Sequence, residues 1–149
     1  MEKMVIGSES VLIEVAHQVL QKLNARARTE AATVLALSGD LGAGKTTFVQ
    51  MLGTLLRVRE DITSPTFVIM KIYQLDAQTD SPFTELIHID AYRIEVLDEM
   101  RVIGFSELLQ KGNTLICIEW AEKIKELLPA DTLCMHIAIE GESRVVTLS

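Results

Sequence analysis

Residues 39–46 read Gly39-Asp40-Leu41-Gly42-Ala43-Gly44-Lys45-Thr46, and no other stretch limits the fold of this chain so narrowly. The run fits G-x-x-x-x-G-K-[ST], a loop that cradles nucleotide phosphates between a strand and a helix. The segment before it, residues 32–38, is apolar and partly β-branched, as a buried strand requires. After it, residues 47–56 place apolar side chains at Phe48, Met51, Leu52, Leu55 and Leu56, the spacing of a helix with one buried face. A chance match somewhere in a chain of 149 residues is well under ~1% at ordinary glycine usage, and the flanks lower it further.

The chemistry of the run follows from its residue types. Gly39, Gly42 and Gly44 let the backbone take positive φ and bring N–H groups close to phosphate oxygens. The helix that begins near Lys45 aims unpaired N–H groups and a partial positive charge at the same oxygens. Lys45 adds a flexible charge that reaches the outer phosphates. The Thr46 hydroxyl is placed to ligate Mg²⁺, and Thr47 to hydrogen-bond an inner phosphate.

The remaining pattern is that of an α/β chain. A length of 149 residues predicts one domain with a real core, and 48% hydrophobic residues with few aromatics fits a sheet rich in Leu, Ile and Val. Val11, Leu12, Val15, Ala16, Val19, Leu20 and Leu23 recur at helical spacing behind Ser8 or Ser10 as N-cap. Residues 66–75 and 84–89 predict a β-hairpin around a polar turn at 76–83. Residues 97–111 carry helical periodicity broken at Gly104, residues 114–118 a buried strand, and residues 121–128 a short helix ended by Pro129. Residues 132–139 and 144–148 predict a second hairpin around Gly141-Glu142. The fold class expected is a three-layer α/β domain of the P-loop NTPase type, its sheet mainly parallel with antiparallel hairpin additions.

Charge and cysteines narrow the setting. A net charge of −7 argues against direct, phosphate-driven nucleic-acid binding. Arg26 with Arg28, and Arg57 with Arg59, read as solvated loop charges. No apolar run approaches the ~20 residues of a membrane span, and the N-terminal residues lack the stretch of a signal peptide. Cys117 and Cys134 both fall in strand-like apolar runs and are expected as buried free thiols in a reducing cytoplasm. His17, His88 and His136 make no zinc pattern with them.

Two acids stand at the C-terminal ends of predicted strands, Asp90 after Ile89 and Glu119 after Ile118. Ligands of open α/β sheets bind at that edge. A phosphate-loop ATPase needs an acid there to hold Mg²⁺ or orient water, so one of the two is the expected Walker-B-like residue. In Ser64-Pro65-Thr66-Phe67, either a hydroxyl senses the γ-phosphate or the segment is simply a turn.

Taken together, residues 39–48, Ser64-Pro65-Thr66-Phe67, His88-Ile89-Asp90-Ala91-Tyr92-Arg93 and Ile118-Glu119-Trp120 resemble, in order and spacing, the bacterial tRNA threonylcarbamoyladenosine biosynthesis ATPases, the TsaE family. The resemblance spans residues of about 33 to 129. It implies a small cytoplasmic ATPase that binds ATP or ADP with Mg²⁺ and works with TsaB and TsaD. Those partners modify the adenosine beside the anticodon of ANN-decoding tRNAs, and the ATPase resets their complex, meeting tRNA only through it. By motif, Thr46 and Glu119 look like Mg²⁺ ligands and Asp90 like the catalytic or switch acid. Ser64 and Thr66 look like the switch loop, and Trp120 is implied beside the nucleotide. Two departures stand out: the family's Thr early in the first helix is replaced by Ser8, Glu9, Ser10 and Val11, and Ala91 stands where Leu often follows the acid.

Two rivals remain on sequence grounds. A small-molecule kinase needs a lid with arginines, and Arg144 is the sole arginine after Glu119. A nucleotide-gated interaction module would bind without appreciable turnover. A GTPase is disfavoured by the lack of Asn-Lys-x-Asp and Asp-x-x-Gly segments.

Overall fold

The computed structural model describes residues 2–77 and 80–149. A single seven-stranded sheet runs through it. In chain order the elements are β1 (Glu2–Ile6), α1 (Glu9–Arg26), β2 (Thr33–Gly39), α2 (Lys45–Leu55), β3 (Met70–Gln74), β4 (Glu85–Asp90), α3 (Asp98–Val102), α4 (Phe105–Leu108), β5 (Thr114–Glu119), a 3-10 segment (Ala121–Leu127), β6 (Leu133–Glu140) and β7 (Ser143–Leu148). The spatial order is β1-β7-β6-β2-β5-β4-β3. The four central strands, β6, β2, β5 and β4, are parallel; β3 on one flank and β7 and β1 on the other are antiparallel. The mainly parallel sheet with hairpin additions is therefore the fold observed.

Strand alternation divides the core in two. On one face, Leu35 and Leu37 of β2, Leu115 and Cys117 of β5 and Met135 of β6 pack against Val15, Val19 and Leu23 of α1 and Phe48, Val49 and Leu52 of α2. On the other, Val34, Ala36, Ile87, Ile89, Ile116 and Ile118 pack against Met100, Phe105 and Ile124. Burying these Leu, Ile and Val side chains contributes roughly 1.5–3 kcal/mol each before the entropy of ordering them. No helix among the described residues is long and apolar enough to cross a membrane.

Local chemistry explains the element ends. Ser8 takes the N-cap of α1, its side chain accepting from the Val11 amide at 3.4 Å. Gly104, at φ 75°, separates α3 from α4, where the periodicity breaks. The predicted strand 66–75 is shorter than its pattern: the Val68 and Ile69 amides both bond to Pro65 O, Ile69 sits at φ 68°, and pairing begins only at Met70. The turn predicted at 76–83 lies partly outside the described residues.

Two expectations need correction. Cys117 is buried, and burial pushes its thiol well above the ordinary range, but Cys134 is exposed. It alternates with Leu133 and Met135, which fill the core, so the apolar run has an outward side. Strand β1 has no counterpart in the sequence reading. Its pattern is only weakly alternating, and it exists because β7 offers an open edge for Met4 and Ile6 to pair along.

Gly39 closes β2 at φ 140°, and a Cβ there would lie 2.3 Å from Ile137 O on the neighbouring strand. Gly39→Ala is therefore expected to destabilise the fold by about 3 kcal/mol, through both the disfavoured φ and the backbone clash. Urea denaturation of the variant against the unmodified chain checks this.

Candidate phosphate and metal site

The parallel register brings the site together. Leu37 of β2 pairs with Glu119 of β5, and Glu119 with Asp90 of β4, so β5 and β4 end level while β2 runs two residues further, to Gly39. The loop leaving β2 then turns over the ends of the other two and enters α2 at Gly44, which sits at φ 110° as its N-cap. Side chains of His88, Asp90, Cys117 and Glu119 fall on the α1/α2 face by alternation, which puts them beneath the start of α2.

Thr46, in the first turn of α2, meets Glu119 directly. Its Oγ1 lies 2.9 Å from Oε1 and 2.8 Å from Oε2, so the hydroxyl proton is shared between both carboxylate oxygens. The Thr66 hydroxyl donates to Asp90 Oδ2 at 2.7 Å, and with that proton committed, Ser64 donates to Thr66 at 2.6 Å. The Tyr92 amide donates to the other Asp90 oxygen at 2.9 Å. Each buried acid thus has donors, as burial of a carboxylate demands.

Lys45 is only 5% exposed. Its ammonium donates to Gly39 O at 2.6 Å and Asp40 O at 2.9 Å and lies 4.2 Å from the centre of the Trp120 ring. Trp120 is held there by a left-handed backbone, φ 57°, and by the Tyr92 ring at 5.0 Å. Burial pulls the Lys45 ammonium below its usual range, while the carboxylates of Glu119, Glu122, Asp90 and Asp40 work in the opposite direction.

A cavity of about 280 Å³ is lined by Leu41, Gly42, Gly44, Lys45, Thr46, Thr47, Ser64, Thr66, Asp90, Glu119, Trp120 and Tyr92. Of the residues singled out by sequence, only Gly39, Asp40 and Ala43 stand apart from it. Gly39 and Asp40 contribute carbonyls to Lys45, and Ala43 is buried in the core. The Thr46 and Glu119 oxygens are hard donors on one wall of this cavity and fit a small divalent cation that keeps most of its ligands as water and phosphate. Among the described residues no three His, Cys, Asp or Glu side chains converge as a protein-only metal cage.

Sequence reasoning missed a second cavity, of about 370 Å³, on the opposite side of the loop. Gly42, Gly44 and Thr47 line it together with Ile6, Ser8, Leu12, Phe48, Glu142 and Arg144. Its walls come from β1, α1, α2 and the β6–β7 turn, segments too far apart in the chain for any motif to join them. Arg144 is occupied there, donating from Nε to Ala43 O at 3.1 Å.

A family model described as threonylcarbamoyl adenosine biosynthesis protein TsaE matches residues 7–146, a span that holds every residue of both cavities but Ile6. The chain belongs to the TsaE family. It is 35% identical over 117 residues to the tRNA threonylcarbamoyladenosine biosynthesis protein TsaE of Borreliella burgdorferi, covering 78% of this chain and 80% of that one. The same protein of Aquifex aeolicus is 32% identical over 146 residues, covering 97% and 92%. Among solved structures, the crystal structure of Bacillus subtilis YdiB is similar with a TM-score of 0.63 and 31% identity, covering 99% of this chain and 83% of that one. The family resemblance seen in the four sequence blocks is thus met by whole-chain similarity.

Because the Lys45 ammonium rests over the only tryptophan, a phosphate that drew it away would change the environment of the indole. Titrating ADP is expected to change Trp120 emission saturably in the native chain and to give no such change in Lys45→Ala. An unchanged spectrum at a saturation established by calorimetry would contradict that movement.

Proposed function

We propose that this chain is an Mg²⁺-dependent P-loop ATPase that serves tRNA threonylcarbamoyladenosine formation together with TsaB and TsaD. The observation that carries the reading is the bond of the Thr46 hydroxyl to both oxygens of Glu119, one residue beyond Lys45 and inside the same cavity as Asp90. A hydroxyl that gives its proton to an acid keeps its lone pairs for a cation, and the acid then supplies the compensating charge.

In this reading the loop amides and Lys45 hold the phosphates, and Thr46 and Glu119 hold Mg²⁺. Bound there, Mg²⁺ would neutralise charge on the phosphate oxygens. Asp90, fixed by Thr66 and the Tyr92 amide, positions or activates water, and Ser64 and Thr66 couple the 64–69 turn to the outermost phosphate. The cavity lined by Leu12, Phe48 and Ile137 takes the base, with Glu142 and Arg144 at its rim. TsaE family membership supports the tRNA-modification role. The net charge of −7 supports work through partner proteins, with tRNA reached only in their complex, in the cytoplasm that this reading implies.

The deciding experiment is ATP hydrolysis by the chain alone and with the TsaB–TsaD pair. Stimulation by the pair is expected, with loss of at least about tenfold in Lys45→Ala through nucleotide affinity and in Glu119→Ala through metal-dependent turnover. Asp90→Ala should slow hydrolysis more than it weakens ADP binding. ATP binding without stimulation by an active pair would overturn the reading and turn attention to small phosphate acceptors.

A further inference from the structure

Strand β4 is apolar along Leu86, Ile87 and Ile89, yet His88 interrupts it at 0% exposure. Histidine is a costly choice for a buried strand position unless its polar atoms are used. Its Nε2 lies 2.6 Å from Glu119 Oε2, and its Nδ1 has no partner among the described residues. The whole polar function of this buried ring is thus one hydrogen bond to one acid. Because a carboxylate oxygen accepts, Nε2 is the ring atom that carries the proton.

The geometry of the contact is directional. His88 stands opposite Cys117 in the β4–β5 register, two residues below Glu119 on the same face, so it approaches the carboxylate from the core side. Thr46 approaches the same carboxylate from the start of α2, at the cavity. Oε2 is tethered by the imidazole, and Oε1 is the oxygen that His88 leaves untouched. A glutamate has one more rotatable bond than an aspartate. A donor fixed in the rigid sheet removes the freedom this adds and keeps the carboxylate aimed at the cavity.

We infer that His88 is a positioning residue for the metal-holding acid: its Nε2–H orients Glu119 so that the carboxylate and Thr46 meet a divalent cation without rearrangement. This rests on the proposed role of Glu119. Groups that orient a metal ligand in this way typically cost about 10- to 100-fold in metal affinity when removed.

The test is Mn²⁺ binding to the ADP complex, followed by electron paramagnetic resonance, with ADP binding in the absence of metal measured alongside. His88→Leu should weaken Mn²⁺ binding by about 10- to 100-fold. His88→Gln, whose amide nitrogen stands near the place of Nε2, should restore it to within about threefold of the native chain, and metal-free ADP binding should stay within about twofold in both. Unchanged Mn²⁺ affinity in His88→Leu, or a parallel loss of metal-free ADP binding, would overturn the inference. Glu119→Ala separates the two levels: its loss of Mn²⁺ beside an unaffected His88→Leu removes only the role of His88, whereas retained Mn²⁺ binding removes the role of Glu119 and with it this inference. Should His88→Leu not fold, the native chain decides by imidazole ¹⁵N resonances. Protonated Nε2 that shifts when Mg²⁺ joins the ADP complex supports the assignment, and a ring unmoved by Mg²⁺ refutes it.

Discussion

The acids beside the phosphate loop depend on one constraint, the parallel register of β2, β5 and β4, in which β5 and β4 end together and β2 runs on into the loop. With Leu37 opposite Glu119 and Glu119 opposite Asp90, two acids from distant parts of the chain stand side by side below the first turn of α2. A slip of one residue in either pairing would turn an acid onto the other face of the sheet, among Ile89, Ile116 and Ile118. The apolar alternation that fills the two core faces therefore also fixes the polar site, because the same pleat decides both.

Within that frame Lys45, Glu119 and Asp90, the buried charges of the site, each have a complement. Lys45 is held by two backbone carbonyls and an aromatic face, Glu119 by a hydroxyl and an imidazole, and Asp90 by a hydroxyl and an amide. The partners of Lys45 are neutral, and those of Glu119 and Asp90 are uncharged donors or a histidine. Such partners compensate burial without binding as tightly as a direct Lys–carboxylate pair. In the proposed role, phosphate oxygens and a cation would offer Lys45, Thr46 and Glu119 stronger partners than these.

Much of this was legible in the sequence. The strand, loop and helix around residues 39–46 were readable because positive-φ glycines, a helix N-terminus and Lys-Thr are local requirements of one short segment. Asp90 and Glu119 were readable because acids ending apolar strands have few other reasons to be there. The 64–69 turn was less so: an alternating pattern predicted a longer strand, and the bond from Thr66 to Asp90 with the Val68 and Ile69 amides bonded to Pro65 O overrode that propensity. Cys134 was misplaced because an apolar run does not say which of its sides faces water. The role now assigned to His88 was hidden by its neighbours, since a histidine in an apolar strand has no partner visible along the chain.

The sequence by itself determined what is local: most of the segments that become strands and helices, where the glycine loop lies, and the family to which the chain belongs. Only the tertiary structure decided what each acid touches, that β1 joins the sheet, and that a second cavity opens between α1 and the β6–β7 turn. Its lining residues Leu12 and Arg144 lie at opposite ends of the chain. The reason is physical. Local elements follow from side-chain spacing and backbone freedom within a few residues, whereas a hydrogen bond such as that of His88 to Glu119 joins positions 31 residues apart and exists only once strands β4 and β5 have paired in register.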